Sequence, residues 1–188
     1  MELQGERLIP ASVDATWAAL NDPETLKACI AGCESLERTG DDAFAAVVAV
    51  KVGPVSARFK GNLKMTDVQA PNRYTINFDG QGGIAGFGKG SADVVLTPEG
   101  EAQTKLAYAA RAQVGGKLAQ VGSRLVDAAA SKIAEDFFKR FEAELQSRRP
   151  AAAPAAAAPA VRPREPAGSL GWVLAAIVVL VTAYFILR

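Results

Sequence analysis

The run Gly83-Ile84-Ala85-Gly86-Phe87-Gly88-Lys89-Gly90 comes close to a phosphate-binding loop, G-x-x-x-x-G-K-[ST]. In such a loop backbone amides and a lysine cradle phosphate oxygens and a final hydroxyl holds magnesium. Here Gly90 stands where the hydroxyl is needed, and Ser91 arrives one residue late. The residues that follow, Ser91 to Thr97, read as a strand, whereas a phosphate loop opens a helix. Nucleotide chemistry is disfavoured on both counts. The glycines Gly80, Gly82, Gly83, Gly86, Gly88 and Gly90 read instead as places where backbone bends or closely approaches a ligand or partner.

Other reactive groups are few. The chain has no histidine, which removes Ser-His-Asp and Cys-His nucleophile pairs, His-ligated zinc and proximal-His haem. Cys29 and Cys33 are the only cysteines, too few for a four-thiolate metal site, and they read as small loop or core thiols. Glu34 and Glu37 share a loop or edge strand without forming a paired-carboxylate motif. Arg58, Lys60, Lys89, Arg111 and Arg124 read as solvated surface. With 21 basic and 20 acidic residues there is no polyanion-binding signature, so nucleic acid is not an expected partner. No catalytic residue and no metal site are expected.

The aromatic set Phe44, Phe59, Phe78, Phe87 and Tyr108 is spread over separate expected strands and admits two readings, ordinary core or the wall of a pocket. Small residues are frequent where bulk is expected: Ala107, Ala109, Ala110, Ala112, Gly115, Gly116 and Ala128-Ala129-Ala130. Small side chains facing a curved sheet leave volume unfilled, and unfilled apolar volume suits an apolar ligand. On the pocket reading, Val114, Leu118, Val121 and Leu125 complete the wall, and Gly83, Gly86, Gly88, Gly115 and Gly116 sit at its mouth.

The elements that must position these residues form one α+β domain over residues 1–146. Glu2–Ile9 reads as a strand stopped by Pro10. Ser12 or Asp14 caps a short helix, and Asp22-Pro23 opens a second. Alternation then marks strands near 44–52, 55–68, 73–81, 90–97 and 103–114, separated by turn residues, as in an antiparallel meander. One long helix is expected from Gly116 to Gln146, with Leu118, Val121, Leu125, Ala129, Ile133, Phe137, Phe141 and Leu145 as its apolar stripe. Residues 147–169 are a Pro/Ala-rich linker, semi-extended and able to span at most ~60 Å. Residues 170–187 form an apolar run of about 18 residues, ~27 Å as a helix, which fits a bilayer core. Leu170, Trp172, Tyr184 and Leu187 belong to this expected single-pass anchor. Arg148, Arg149, Arg162 and Arg164 precede it, against Arg188 after it, so the domain is expected on the cytoplasmic side of the membrane. The N-terminus has no signal-peptide pattern.

Several stretches carry a family likeness. Strand, two short helices, a long meander and a C-terminal helix resemble the helix-grip fold of the START/SRPBCC superfamily. The segments Asp22-Pro-Glu-Thr-Leu-Lys-Ala-Cys-Ile-Ala-Gly-Cys-Glu-Ser-Leu, Lys51-Val-Gly-Pro-Val, Gly82-Gly-Ile-Ala-Gly-Phe-Gly-Lys-Gly-Ser-Ala and Ala112-Gln-Val-Gly-Gly-Lys-Leu-Ala-Gln-Val-Gly-Ser-Arg resemble the CoxG family of carbon monoxide dehydrogenase subunits. Ala31 departs from the proline common in that family. The resemblance implies a non-catalytic adaptor that brings a molybdenum-containing carbon monoxide dehydrogenase, or a related hydroxylase, to the membrane. A cavity beside the membrane suggests a bound respiratory quinone, menaquinone or ubiquinone, or another lipid. Two alternatives stand beside it: a maturation factor for the dehydrogenase, and a cyclase-like enzyme on the same fold.

Overall fold

The computed structural model describes residues 1–148; the expected linker from 149 onward and the expected anchor at 170–187 lie outside the described residues. Among the described residues, no helix is long and apolar enough to cross a membrane.

Seven strands alternate apolar and polar residues, and all pair antiparallel in one sheet. They are β1 (Glu2–Ile9), β2 (Cys33–Gly40), β3 (Ala43–Val52), β4 (Val55–Gln69), β5 (Arg73–Gln81), β6 (Phe87–Pro98) and β7 (Thr104–Gly115). The order across the sheet is β1-β7-β6-β5-β4-β3-β2, so the meander runs from β2 to β7 and the first strand closes it on the far side of β7. The Glu34/Glu37 segment is the edge strand β2.

Two short helices follow β1: α1 (Val13–Leu20) and α2 (Pro23–Cys29), and α2 packs against β2. Ser12 caps α1, its hydroxyl accepting from the Ala15 amide at 3.3 Å. Asp22 caps α2, accepting from the Glu24 and Thr25 amides at 3.3 Å and from the Thr25 hydroxyl, with Pro23 at the first helical position.

The expected single C-terminal helix is two: α3 (Lys117–Gln120) and α4 (Ser123–Arg148). Gly122 between them has φ +94°, a left-handed conformation that an α-helix cannot continue through. The apolar face also differs from the expected stripe. Val126, Phe138, Phe141 and Leu145 are the buried residues of α4, whereas Leu125 and Ile133 are 50% and 42% exposed. A strict four-residue spacing advances about 40° per step beyond a full turn, so that row winds around the helix toward solvent. The true contact face corrects itself with the three-residue step from Phe138 to Phe141.

The main core lies between the concave sheet face and the C-terminal half of α4. Ile9, Leu96, Leu106 and Phe141 are essentially inaccessible. Phe138 meets Phe137 and Tyr108 with ring centroids 5.3 and 5.2 Å apart, and Phe137 stacks on Phe141. At its end, α4 is tied to α2: Arg148 donates to the cap carboxylate of Asp22 at 3.2 Å and to Glu144 at 2.9 Å. The Thr25 hydroxyl above all lowers the Asp22 pKa from its ordinary value; burial opposes it, and Arg148 and the two amides add to the lowering.

Asp22→Ala should therefore cost about 1 kcal/mol of stability near neutral pH, as loss of a helix cap does. Because its folded value is lowered, the Asp22 contribution is complete above about pH 4 and is lost as pH falls through that folded value. Thermal melts of both proteins from pH 7 to 2 should show the gap in Tm closing at the acid end.

Candidate functional site

Side chains are unevenly distributed along α4. Its C-terminal half presents Phe137, Phe138, Phe141 and Leu145 to the sheet, and its N-terminal half presents Val126, Ala129, Ala130 and the partly exposed Ile133. The bulky half seats the helix, and the slender half leaves a gap. Beneath that gap is a cavity of about 370 Å³, bounded above by Leu118 of α3 and by Val126, Ala129, Ala130 and Ile133 of α4.

The floor of this front cavity is a row of paired residues crossing five strands: Ala46, Gly61, Gly80, Gly88 and Val114. Three glycines in register place bare backbone where a sheet normally raises side chains. At Gly88, a β-carbon would meet nothing within 4 Å. Val48, Val50, Val52 and Phe59 form the β3–β4 wall, and exposed Met1 and Ile133 mark where the cavity meets solvent. Asn62 and Asp79 also border it, but both are exposed and occupy positions alternate to the inward row. No set of converging acids, bases or nucleophiles lies on this lining.

A second, rear cavity of about 180 Å³ lies nearer the bulky half of α4. Phe44, Met65, Tyr74, Ile76, Val94, Leu106 and Tyr108 bound it from the sheet, and Phe137 and Phe138 from α4. Nearly all of its lining is buried or half-buried. Burial pushes the Tyr74 hydroxyl pKa well up, so this phenol stays neutral.

The candidate residues divide between the two cavities and the surface. Phe59, Phe78, Val114 and Leu118 bound the front cavity, and Phe44 and Tyr108 the rear one. Val121 packs on the small cluster around Val52, Leu118 and Val126. Leu125 is outside both cavities, with its side chain over the β3–β4 turn at Gly53. Phe87 is also outside both: it is paired with Gly115 and its ring lies over that glycine, at the register positions alternate to Gly88 and Val114. Of the five candidate mouth glycines, only Gly88 touches the front cavity. Gly83 lies in the 3-10 turn Gly83–Ala85, and Gly86 sits backbone-to-backbone against Gly115 and Gly116, which pins that loop. The run resembling a phosphate loop thus enters strand β6.

Arg58 and Arg111 pair on the surface with Glu34 and Glu2. Both cysteines are free thiols, with pKa raised chiefly by burial, which suppresses thiolate chemistry. Among the described residues, no group of three or more potential His, Cys, Asp or Glu ligands is placed to hold a metal.

The family model of CoxG, a carbon monoxide dehydrogenase subunit, matches residues 5–146. The chain belongs to this CoxG family. No protein with a curated description matches it. A conserved protein from Geobacillus kaustophilus is 32% identical with a TM-score of 0.74, over 78% of this chain and 96% of that one. A START superfamily protein from Mycobacterium smegmatis is 16% identical (TM-score 0.59; 78% and 97% covered). The Zhui aromatase/cyclase from Streptomyces sp. R1128 is 13% identical (TM-score 0.62; 81% and 97% covered). The last two establish a START-like fold. In this CoxG-family chain, the glycine row gives the fold its front cavity.

Two glycine substitutions should separate cavity from scaffold. Gly88→Ala should be neutral or stabilising by up to about 1 kcal/mol, since its β-carbon meets open space. Gly86→Ala should cost at least ~1–3 kcal/mol, because φ is +114° and a β-carbon would strike the Gly115 carbonyl. Urea unfolding midpoints of the two variants should move in opposite directions or differ by that margin.

Proposed function

We propose that this protein is a non-catalytic, ligand-binding accessory protein of a carbon monoxide dehydrogenase or related molybdenum hydroxylase. In this reading it is tethered to the cytoplasmic membrane by residues 170–187 and binds an apolar ligand, a respiratory quinone, in the front cavity. The observation that carries the ligand half is the cavity floored by Gly61, Gly80 and Gly88 and walled by aliphatic and aromatic side chains. A site of this size and character recognises a hydrophobic molecule by burial rather than by charge. The family match supports the dehydrogenase as partner. The apolar C-terminal run supports the tether.

A quinone supplies the capacity to accept electrons; the chain's own residues contribute other things. Aliphatic walls remove the ligand's apolar surface from water, and the bare backbone at Gly80 and Gly88 makes room for a flat ring or chain. The linker keeps the domain at high effective concentration near membrane partners. The one carboxylate that borders the cavity, Asp79, is exposed and alternate to the inward row, which favours carrying the ligand over turning it over.

Titration of residues 1–148 with a decyl-substituted naphthoquinone should give saturable one-to-one binding. Gly88→Leu, which fills the cavity, should weaken binding at least tenfold with Tm preserved. Absence of binding by the parent domain would refute the ligand assignment. Deleting residues 170–188 should move the partner dehydrogenase from the membrane to the soluble fraction while leaving its activity toward an artificial acceptor intact; cofactor-poor, inactive dehydrogenase would favour the maturation role instead.

A further inference from the structure

The two cavities meet at a single side chain. Behind the glycine row, the next row across the sheet is Phe44, Leu63, Phe78, Gly90 and Ala112. Phe44 faces the rear cavity and Phe78 the front one, while Leu63, paired between them, lines both. Bulk therefore returns to the sheet with this row, which forms a low partition. Beyond it Met65 and Ile76 bound the rear space, and their row continues into Ala92 and Ala110. The partition rests on a half-buried leucine. Leucine moves between staggered rotamers, whereas its neighbour Phe44 is packed under the Arg38 guanidinium, 4.7 Å from the ring centroid.

We propose that Leu63 is a gate between two compartments of one binding site, and that the rear compartment receives the end of the ligand's hydrocarbon chain. The site then selects ligands by chain length: the head group and first part of the chain occupy the front cavity, and only longer chains pass Leu63. The rear volume, about 180 Å³, exceeds the ~150 Å³ of an apolar cavity that takes a benzene ring, so it suits a short length of chain. Its lining holds no charged side chain. A void of this size in the main core is explained if a ligand fills it. This inference rests on the quinone-binding reading above and adds how the site is divided: a front compartment open to any chain length and a rear one reached only by longer chains.

The test measures affinities of methyl-, hexyl-, decyl- and hexadecyl-naphthoquinone for residues 1–148 and for two variants. In the parent, affinity should keep rising beyond the chain length that fills the front cavity, by up to about fourfold for each further methylene buried. Leu63→Phe should abolish that added gain, bringing the ratio of hexadecyl to methyl affinity down to what the front cavity alone supplies. Ile76→Phe, which narrows the rear compartment from another strand and does not line the front cavity, should abolish the same gain while leaving methyl and hexyl affinities within about twofold, and it covers the case in which the Leu63 variant fails to fold. A parent affinity that levels off at the short chains, or variants that weaken short and long chains equally, would overturn the gate while leaving the front site standing. No binding of any naphthoquinone by the parent would overturn both readings.

Discussion

Everything distinctive about this molecule depends on how side-chain volume is distributed along α4. Phe137, Phe138, Phe141 and Leu145 seat one half of the helix in the concave sheet, where burying each large apolar side chain is worth roughly 1.5–3 kcal/mol. Such packing fixes the height and direction of the whole helix. The other half, bearing Val126, Ala129, Ala130 and an Ile133 that lies at the solvent edge, is held by that lever at a distance its own side chains cannot fill. The cavity is thus a consequence of a rigid helix with unequal ends, not of a flexible lid.

The sheet completes the arrangement by the same logic in rows. Its glycine row lies under the slender half of α4, and rows with Met65, Ile76, Tyr74 and Val94 lie toward the bulky half. The two ends of the helical segment are fixed by different means. Gly122 breaks the helix so that α3 can turn and bring Leu118 over the cavity. Arg148 and Asp22 tie the far end to α2 at the last described turn.

Much of the fold is legible in the sequence because it depends on local periodicity. The alternation of Phe44, Ala46, Val48, Val50 and Val52 marks β3, and the turn residues flanking 73–81 bound β5 where the structure has it. The caps at Ser12 and Asp22 follow from side-chain chemistry two or three residues away. Phe59 and Phe78 can be proposed as cavity wall, but Phe87 cannot be told from them, because its facing depends on the register of β6 against β7. The glycine floor is invisible for the same reason: Gly61, Gly80 and Gly88 are scattered in sequence and align only through strand pairing. The four-residue repeat through Leu125 and Ile133 misleads about α4, since the break at Gly122 and the aromatic half of the helix together set its rotation.

The central claim is that the gap beneath the slender half of α4 is a persistent ligand site. A crystal structure of residues 1–148 grown with saturating naphthoquinone tests it most directly. The account predicts ligand density over Gly80 and Gly88 and beneath Ala129 and Ala130, with α4 at its present height. A sheet and helix collapsed onto each other, with the gap filled by the protein's own side chains and no ligand density there, would contradict it.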